Sequence, residues 1–218
     1  MPNNGNKDNA QESNGATKSI RIAVLGARGV GKTSLVEQFV LNEFTSHYKS
    51  TRHKRLYFVT AYINDHFYQM QIIDLPTINS FPLNSLSEWN AFPGYSLRHI
   101  DAIVLVFDIT NVDSFKHVEG LRQQIMKSYV TPNVRLIVVA NKCDVIDETQ
   151  QHISRRDVAT IVKKQWRCPY IEISAKHNWR VTSAFRELMQ IIDTGELPHK
   201  TTSSRVQSAL RRNSCVIL

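Results

Sequence analysis

The feature that most constrains the fold is a glycine-rich loop between a short apolar run and a helical pattern. The run Ile20–Leu25 is rich in β-branched residues, and Lys32–Leu41 carries apolar residues at helical spacing. From Gly26 to Thr33 the chain has the spacing G-x-x-x-x-G-K-[ST]. Such glycines let backbone N–H groups surround phosphate oxygens, and the helix N-terminus adds the positive end of its dipole. This context favours a phosphate-binding loop over a glycine-rich turn without a ligand.

Two side chains of this loop have specific expected roles. Lys32 can reach the β- and γ-phosphates, and the hydroxyl of Thr33 can ligate Mg²⁺. The residues predicted to surround the phosphates are Gly26, Ala27, Arg28, Gly29, Val30, Gly31, Lys32, Thr33 and Ser34.

The rest of the chain alternates apolar runs with helical patterns. The runs predict strands at 20–25, 56–63, 67–74, 102–108, 135–141 and 170–174, with a short turn at 64–66. The helical patterns lie at 32–41, 114–129, 156–165 and 181–192. Strands that alternate with helices favour an α/β fold, here a mostly parallel six-stranded sheet with helices on both faces. Ligands of such folds bind at the carboxyl ends of the strands.

Two later strand ends carry side chains that suit guanine. The sequence Asn141-Lys142-Cys143-Asp144 follows the run 135–140. A carboxylate there can accept from both the ring N–H and the exocyclic amine of guanine, whereas adenine offers no such pair of donors. The amide of Asn141 can meet the other edge of the base. At the end of the last strand, Ser174-Ala175-Lys176 can offer the N–H of Ala175 to the guanine oxygen.

These motifs, in this order, resemble those of the Ras-type small GTPases over about 20–192. The resemblance implies a Ras-like P-loop G domain, with GTP or GDP and Mg²⁺ as ligands. It places Phe44 against the guanine and Tyr48 in the first switch, here residues 42–55. Thr51 would ligate Mg²⁺ beside Thr33 when a γ-phosphate is present, and Asp74 would hold a Mg²⁺-bound water. The ordinary alternatives are a core aromatic for Phe44 and a loop hydroxyl for Thr51.

The sequence departs from this family after the strand-end aspartate. The family usually continues D-T-A-G-Q, whereas this chain reads Asp74-Leu75-Pro76-Thr77-Ile78. Ile78 thus replaces the glutamine that orients the attacking water, and Thr77 replaces the glycine that senses the γ-phosphate. Phosphoryl transfer in this class depends on positioning and charge stabilisation, so we expect slow hydrolysis. The stretch 79–95 is longer than the usual second switch, which predicts a rebuilt segment.

Arg28 and the charge of the first switch are two further departures. Family members commonly have glycine at the position of Arg28. The bulk of this arginine would obstruct the γ-phosphate; alternatively, its guanidinium would act as an arginine finger in cis. Thr51 and Arg28 are the candidate catalytic residues. The first switch is basic where Ras-type effector loops are acidic, so partners of acidic loops should be repelled. Its cationic residues are Lys49, Arg52, Lys54 and Arg55, with His47 and His53. Together the departures resemble the divergent Ras-like family member 10 branch.

The ends of the chain predict a membrane-associated protein. The chain has 27 Lys+Arg and 19 Asp+Glu, a net charge of +8, and its last 21 residues carry four cations and no acid. The sequence Cys215-Val216-Ile217-Leu218 has the C-a-a-X pattern, in which a terminal leucine is typical of geranylgeranylation. A single prenyl chain anchors weakly, so the basic tail would supply a second signal for anionic lipid. We therefore expect the cytoplasmic face of a membrane, most simply the plasma membrane.

The domain organisation follows from these assignments. Residues 1–18 are polar and predict a disordered extension, 19–195 a Ras-like G domain, and 196–218 a basic tail that ends in the prenylation motif. The N-terminal stretch has no apolar segment typical of a secretory signal, and Pro2 excludes N-myristoylation. Three cysteines are too few for a disulfide framework. No apolar run approaches the ~18–20 residues of a membrane span.

Two functional hypotheses fit the sequence. The first is a prenylated GTPase that acts as a signalling switch with slow hydrolysis. The second is an interaction module at the membrane that stays bound to GTP and is not controlled by turnover. A nucleic-acid-binding protein is disfavoured because no aromatic and basic platform is found.

Overall fold

A computed structural model describes residues 17–82, 97, 99–128, 133–145 and 154–195, and the backbone of 216–217. Its strands are β1 (Lys18–Gly26), β2 (Arg55–Ile63), β3 (His66–Asp74), β4 (Ala102–Asp108), β5 (Arg135–Asn141), β6 (Tyr170–Glu172) and β7 (Val216–Ile217). Its α-helices are α1 (Lys32–Leu41), α2 (Val112–Lys127), α3 (Arg155–Thr160) and α4 (Val181–Thr194). A 3₁₀ turn covers Cys143–Val145, and one π-helical turn, Ile161–Gln165, continues α3. None of the described helices is both long and apolar enough to cross a membrane.

The strands form one sheet in the order β6-β5-β4-β1-β3-β2-β7. Strands β1, β3, β4, β5 and β6 pair in parallel, and β2 pairs antiparallel with β3. The predicted mostly parallel α/β sheet is confirmed. All six predicted strands are found, and a seventh, β7, adds two residues to the outer edge of β2 in antiparallel pairing.

Both faces of the sheet are covered, as the predicted architecture requires. On one face, α1 and α4 meet through stacked rings of Phe39 and Phe185, whose centroids lie 3.7 Å apart. On the other face, Phe115 and Val118 of α2 pack with Phe107 and its neighbours. Every residue of β4 is buried, which explains why this strand is a continuous apolar run.

Several predicted boundaries need small corrections. The first strand begins at Lys18, so the predicted disordered extension 1–18 is too long by at least this residue. Helix α2 begins at Val112 because the side chain of Asn111 accepts the N–H groups of Asp113 and Ser114. His66 lies in β3 and not in the turn, and β6 ends at Glu172 before Ser174 forms an isolated bridge with Trp179.

Candidate functional site

The glycine-rich loop joins β1 to α1 in the conformation that the motif predicts. Gly26 and Gly31 have φ values of 150° and 91°. A Cβ at Gly26 would lie 2.0 Å from the carbonyl oxygen of Val106, and one at Gly31 would lie 2.3 Å from the amide nitrogen of Asn141. Both positions therefore require glycine, because a Cβ would clash with the β4 backbone at Gly26 and with the side chain of Asn141 at Gly31, where φ is also positive.

Lys32 is held inside this loop. Its ammonium donates to the carbonyl oxygens of Gly26 and Ala27, each at 2.9 Å. Burial lowers the pKa of Lys32 to about 8, although the carboxylate of Asp74 opposes the shift. The loop thus presents a partly desolvated cation, whose attraction to phosphate is stronger than that of a cation in water.

A second cluster brings together the three residues expected around Mg²⁺. The hydroxyl of Thr33 donates to Oδ2 of Asp74 at 2.6 Å. The hydroxyl oxygens of Thr33 and Thr51 lie 2.9 Å apart, and since the single proton of Thr33 is used by Asp74, Thr51 is the donor in this contact. The hydroxyl of Thr51, in the first switch, therefore lies against the glycine-rich loop, where the phosphates are expected.

The chemistry of this cluster fits Mg²⁺. Oδ1 of Asp74 is buried and lacks a hydrogen-bond partner among the described residues, and burial raises the pKa of this carboxyl group. Hydroxyl and carboxylate oxygens are ligands that Mg²⁺ accepts, usually together with waters and phosphate oxygens. No group of three or more His, Cys, Asp and Glu suited to a metal lies in the described ranges. A cation here would depend on the nucleotide for part of its coordination.

The side chain of Asn141 links the glycine-rich loop to the turns that follow β5 and β6. Its amide nitrogen donates to the carbonyl of Val30 at 2.9 Å, and its Oδ1 accepts the N–H groups of Ala175 and Lys142 at 3.0 and 2.8 Å. This side chain therefore fixes three loops relative to one another. The expected contacts of the Asn141 amide and of the Ala175 N–H with guanine stay predictions, because both groups have protein partners here.

Asp108 supports the site through Lys142 but belongs to none of the motifs in the sequence. Its Oδ2 accepts from the ammonium of Lys142 at 2.7 Å, and it lies beside Asn141 in the register of β4 and β5. Lys142 has a left-handed backbone with φ 65°, so this ion pair helps to hold the turn that presents Asp144. The signal was available in the sequence, since Asp108 ends a buried strand at the same edge of the sheet.

Most of the predicted site residues line one cleft of about 440 Å³, whereas Gly26, Ala27 and Val30 of the loop do not. Phe44 lines it and is 40 % exposed, which excludes the core-aromatic alternative for this residue. Asp74 and Ser174 lie buried behind the lining, where Asp74 supports Thr33 and the hydroxyl of Ser174 accepts the N–H of His177. Predicted residues that line the cleft are Arg28, Gly29, Gly31, Lys32, Thr33, Ser34, Phe44, Thr51, Asn141, Lys142, Asp144, Ala175 and Lys176.

The segment after Asp74 lines the cleft at Thr77 and then enters the apolar core at Ile78. Ile78 is 3 % exposed and packs in the apolar cluster that contains Leu75, Phe81 and Leu97. Thr77, one residue earlier, lines the cleft. The predicted rebuilding of 79–95 concerns mostly residues 83–95, which lie outside the described part of the chain, as do Cys215 and the side chains of the basic tail.

The comparisons with known proteins agree with this geometry. Residues 21–194 match the Ras family. The chain is 42 % identical over 202 residues to Ras-like protein family member 10B of Homo sapiens, with 92 % of this chain and 98 % of that protein covered. It is 37 % identical over 204 residues to Ras-like protein family member 10A of Mus musculus, with the same coverage. It is 32 % identical over 176 residues to the GTP-binding protein rhb1 of Schizosaccharomyces pombe, with 81 % of this chain and 89 % of that protein covered.

Both resemblances that the motifs indicated, to the Ras type and to the member 10 branch, are confirmed by these matches. The chain belongs to the Ras family of small GTPases.

Proposed function

We propose that this protein is a membrane-anchored guanine-nucleotide switch that binds GTP or GDP with Mg²⁺ and hydrolyses GTP slowly. Family membership implies GTP binding and a signalling role. One contrast carries the finer proposal: the Lys32 and Thr33–Thr51–Asp74 contacts of a nucleotide site are formed, while Ile78 packs in the core. The residues that would bind the nucleotide and Mg²⁺ are retained, and the glutamine that would orient the attacking water is replaced by Ile78.

The position of Ile78 supports slow hydrolysis more strongly than its chemistry alone. An apolar side chain has no donor or acceptor for a water molecule, and this one is turned into the apolar cluster below the site. Pro76 restricts the backbone just before Thr77. Positioning of the attacking water accounts for much of the rate in this class of reaction, so its loss slows turnover by orders of magnitude.

Replacing Ile78 by glutamine is expected to leave hydrolysis slow. The amide would replace a buried apolar group, so we expect a loss of about 2–4 kcal/mol in the free energy of unfolding. The single-turnover rate should stay within about twofold of the parent, since the backbone here directs the side chain away from the cleft. Ile78→Leu is the matched control, with a cost below about 1.5 kcal/mol. A tenfold faster Ile78→Gln variant would contradict this account of the segment.

The alternative function is an interaction module that stays bound to GTP at the membrane. The burial of Ile78 favours it as well, because a site that binds GTP and scarcely hydrolyses it would be controlled by exchange or by protein abundance. The basic first switch fits partners other than those of acidic Ras effector loops. Lys49, Arg52 and Arg55 are exposed there, and Arg55 also pairs with Glu37 at 3.1 Å.

The membrane anchor is supported by the C-a-a-X pattern at Cys215 and by Arg211 and Arg212 upstream. We expect Cys215→Ser, expressed in eukaryotic cells, to fall at least about tenfold in the membrane fraction, because the prenyl chain supplies most of the hydrophobic binding. Changing Arg211 and Arg212 together to alanine should give a smaller loss that shrinks at high salt. Membrane retention of Cys215→Ser equal to that of the parent would contradict the proposal.

The nucleotide content of the protein tests the proposed function directly. The full chain, purified with Mg²⁺, is denatured and the released nucleotide is identified by chromatography. We expect GTP or GDP in near-stoichiometric amount, which added guanine nucleotides exchange and equimolar ATP does not. Protein without nucleotide that also fails to bind added GDP or GTP would refute the proposal.

A further inference from the structure

Arg28 of the glycine-rich loop is in direct contact with Tyr48 of the first switch. Its Nε donates to the hydroxyl of Tyr48 at 3.2 Å, and its guanidinium carbon lies 6.0 Å from the centre of the tyrosine ring. Both residues line the cleft. The pair therefore adds to the contact of Thr33 with Thr51 in joining the glycine-rich loop to the first switch.

The pair lies at the phosphate end of the cleft. Tyr48 precedes Thr51, whose hydroxyl lies 2.9 Å from that of Thr33. Arg28 follows Gly26 and Ala27, whose carbonyl oxygens hold the ammonium of Lys32. The residues expected to read the base, Asn141 and Asp144, lie at the end of β5 and in the 3₁₀ turn after it. A nucleotide with its base at Asp144 would therefore have its phosphates at the loop that carries Arg28, beside the first switch with Tyr48.

The contact leaves most of the guanidinium available for an anion. Arginine has five N–H donors, and the Nε group used by Tyr48 is one of them. The two remaining nitrogens can bind two oxygens of one phosphate. Within the described ranges no carboxylate forms an ion pair with Arg28. A cation that is oriented but not neutralised at this place suits a phosphate.

We propose that Arg28, oriented by Tyr48, is a ligand of the terminal phosphate and raises the affinity for GTP relative to GDP. This inference rests on the proposed nucleotide site and extends it to a residue that family members commonly lack. It makes Tyr48 a positioning residue and Arg28 a binding residue. If Arg28 instead obstructed the γ-phosphate, the effect of removing it would have the opposite sign.

The test compares dissociation constants for GDP and for a GTP analogue with a β,γ-imido bridge, on the full chain with Mg²⁺. The variants are Arg28→Ala, Tyr48→Phe and the double variant. Alanine suits this position because Arg28 does not have a positive φ. Arg52→Ala is the charge control, since Arg52 is an exposed cation of the same switch that does not line the described cleft.

We expect Arg28→Ala to weaken binding of the GTP analogue about three- to tenfold relative to binding of GDP. A change of this size is typical of one charge-assisted contact at a solvent-accessible site. Tyr48→Phe should lower the same ratio about twofold in the parent and leave it unchanged in the Arg28→Ala background, because the two side chains act as a unit. Arg52→Ala should not change the ratio. An affinity ratio that is unchanged or higher in Arg28→Ala, or additive effects of the two substitutions, would overturn the inference. These results leave the proposed function intact if the parent binds both nucleotides, whereas a parent that binds neither refutes that function itself.

Discussion

Replacing Asp144 by asparagine is expected to weaken GDP binding at least about 100-fold, because a site built to accept hydrogen bonds from a base loses its main acceptor. Asparagine presents an amide N–H where the carboxylate would accept from guanine, so a donor would face a donor. Xanthine has a carbonyl in place of the exocyclic amine of guanine. The same variant is therefore expected to gain affinity for xanthosine diphosphate.

Competition of GDP, xanthosine diphosphate and ADP against a fluorescent guanine nucleotide measures this change. Asp113→Asn is the matched control, since its side chain is 88 % exposed and pairs only with Lys116 among the described residues. If Asp144→Asn keeps GDP affinity within about threefold of the parent, the base is read elsewhere. Asp144 would then line the cleft without binding guanine.

Removal of Mg²⁺ is expected to accelerate GDP release about 10- to 100-fold, the usual range for coupling between two ligands. The physical reason is a shared site: Thr33, whose hydroxyl donates to Asp74, would ligate the cation, Asp74 would hold a water bound to it, and the phosphates would supply further oxygens. In Asp74→Asn the amide oxygen can still accept from Thr33, but the charge that favours the cation is lost. We therefore expect fast release with or without a chelator in this variant.

Stopped-flow release of a fluorescent GDP, with and without excess chelator, checks this expectation. The melting temperature of Asp74→Asn shows whether the fold is retained. A parent protein whose rate of GDP release is unchanged by the chelator would contradict a Mg²⁺ site at Thr33, Thr51 and Asp74. Asp74→Asn that responds to the chelator as strongly as the parent would contradict the role of this carboxylate.

Much of the site could be predicted from the sequence because its parts are local. The loop Gly26–Thr33 depends on glycine spacing and on its position between a strand and a helix. Asp144 lies in the short turn after a buried strand. The carboxyl ends of parallel strands meet at one edge of the sheet, so local motifs suffice to bring these groups together.

Other features depend on contacts between distant segments, which spacing does not contain. The direction of Ile78 is decided by the apolar cluster around Leu97 and Phe81, and not by its place after Asp74. The contact of Arg28 with Tyr48 depends on the path of the first switch. Pairing of β7 with β2 adds a two-residue edge strand that no periodicity can reveal.

The helix that follows β5 shows a third limit. The helical pattern at 156–165 predicts one helix, but the chain forms α3 up to Thr160 and a π-helical turn at Ile161–Gln165. The stacking of Trp166 on Phe115, with ring centroids 5.5 Å apart, lies at the end of this turn. Tertiary packing of this kind overrides local propensity.

The central claim is that the nucleotide site is complete while the machinery of hydrolysis is lost. Single-turnover hydrolysis tests it most directly: the full chain is loaded with GTP in the presence of Mg²⁺, free nucleotide is removed, and bound GTP and GDP are followed by chromatography. We expect GTP to bind stoichiometrically and to persist for many hours. Conversion to GDP as fast as in Ras-family enzymes that retain the glutamine would contradict the account.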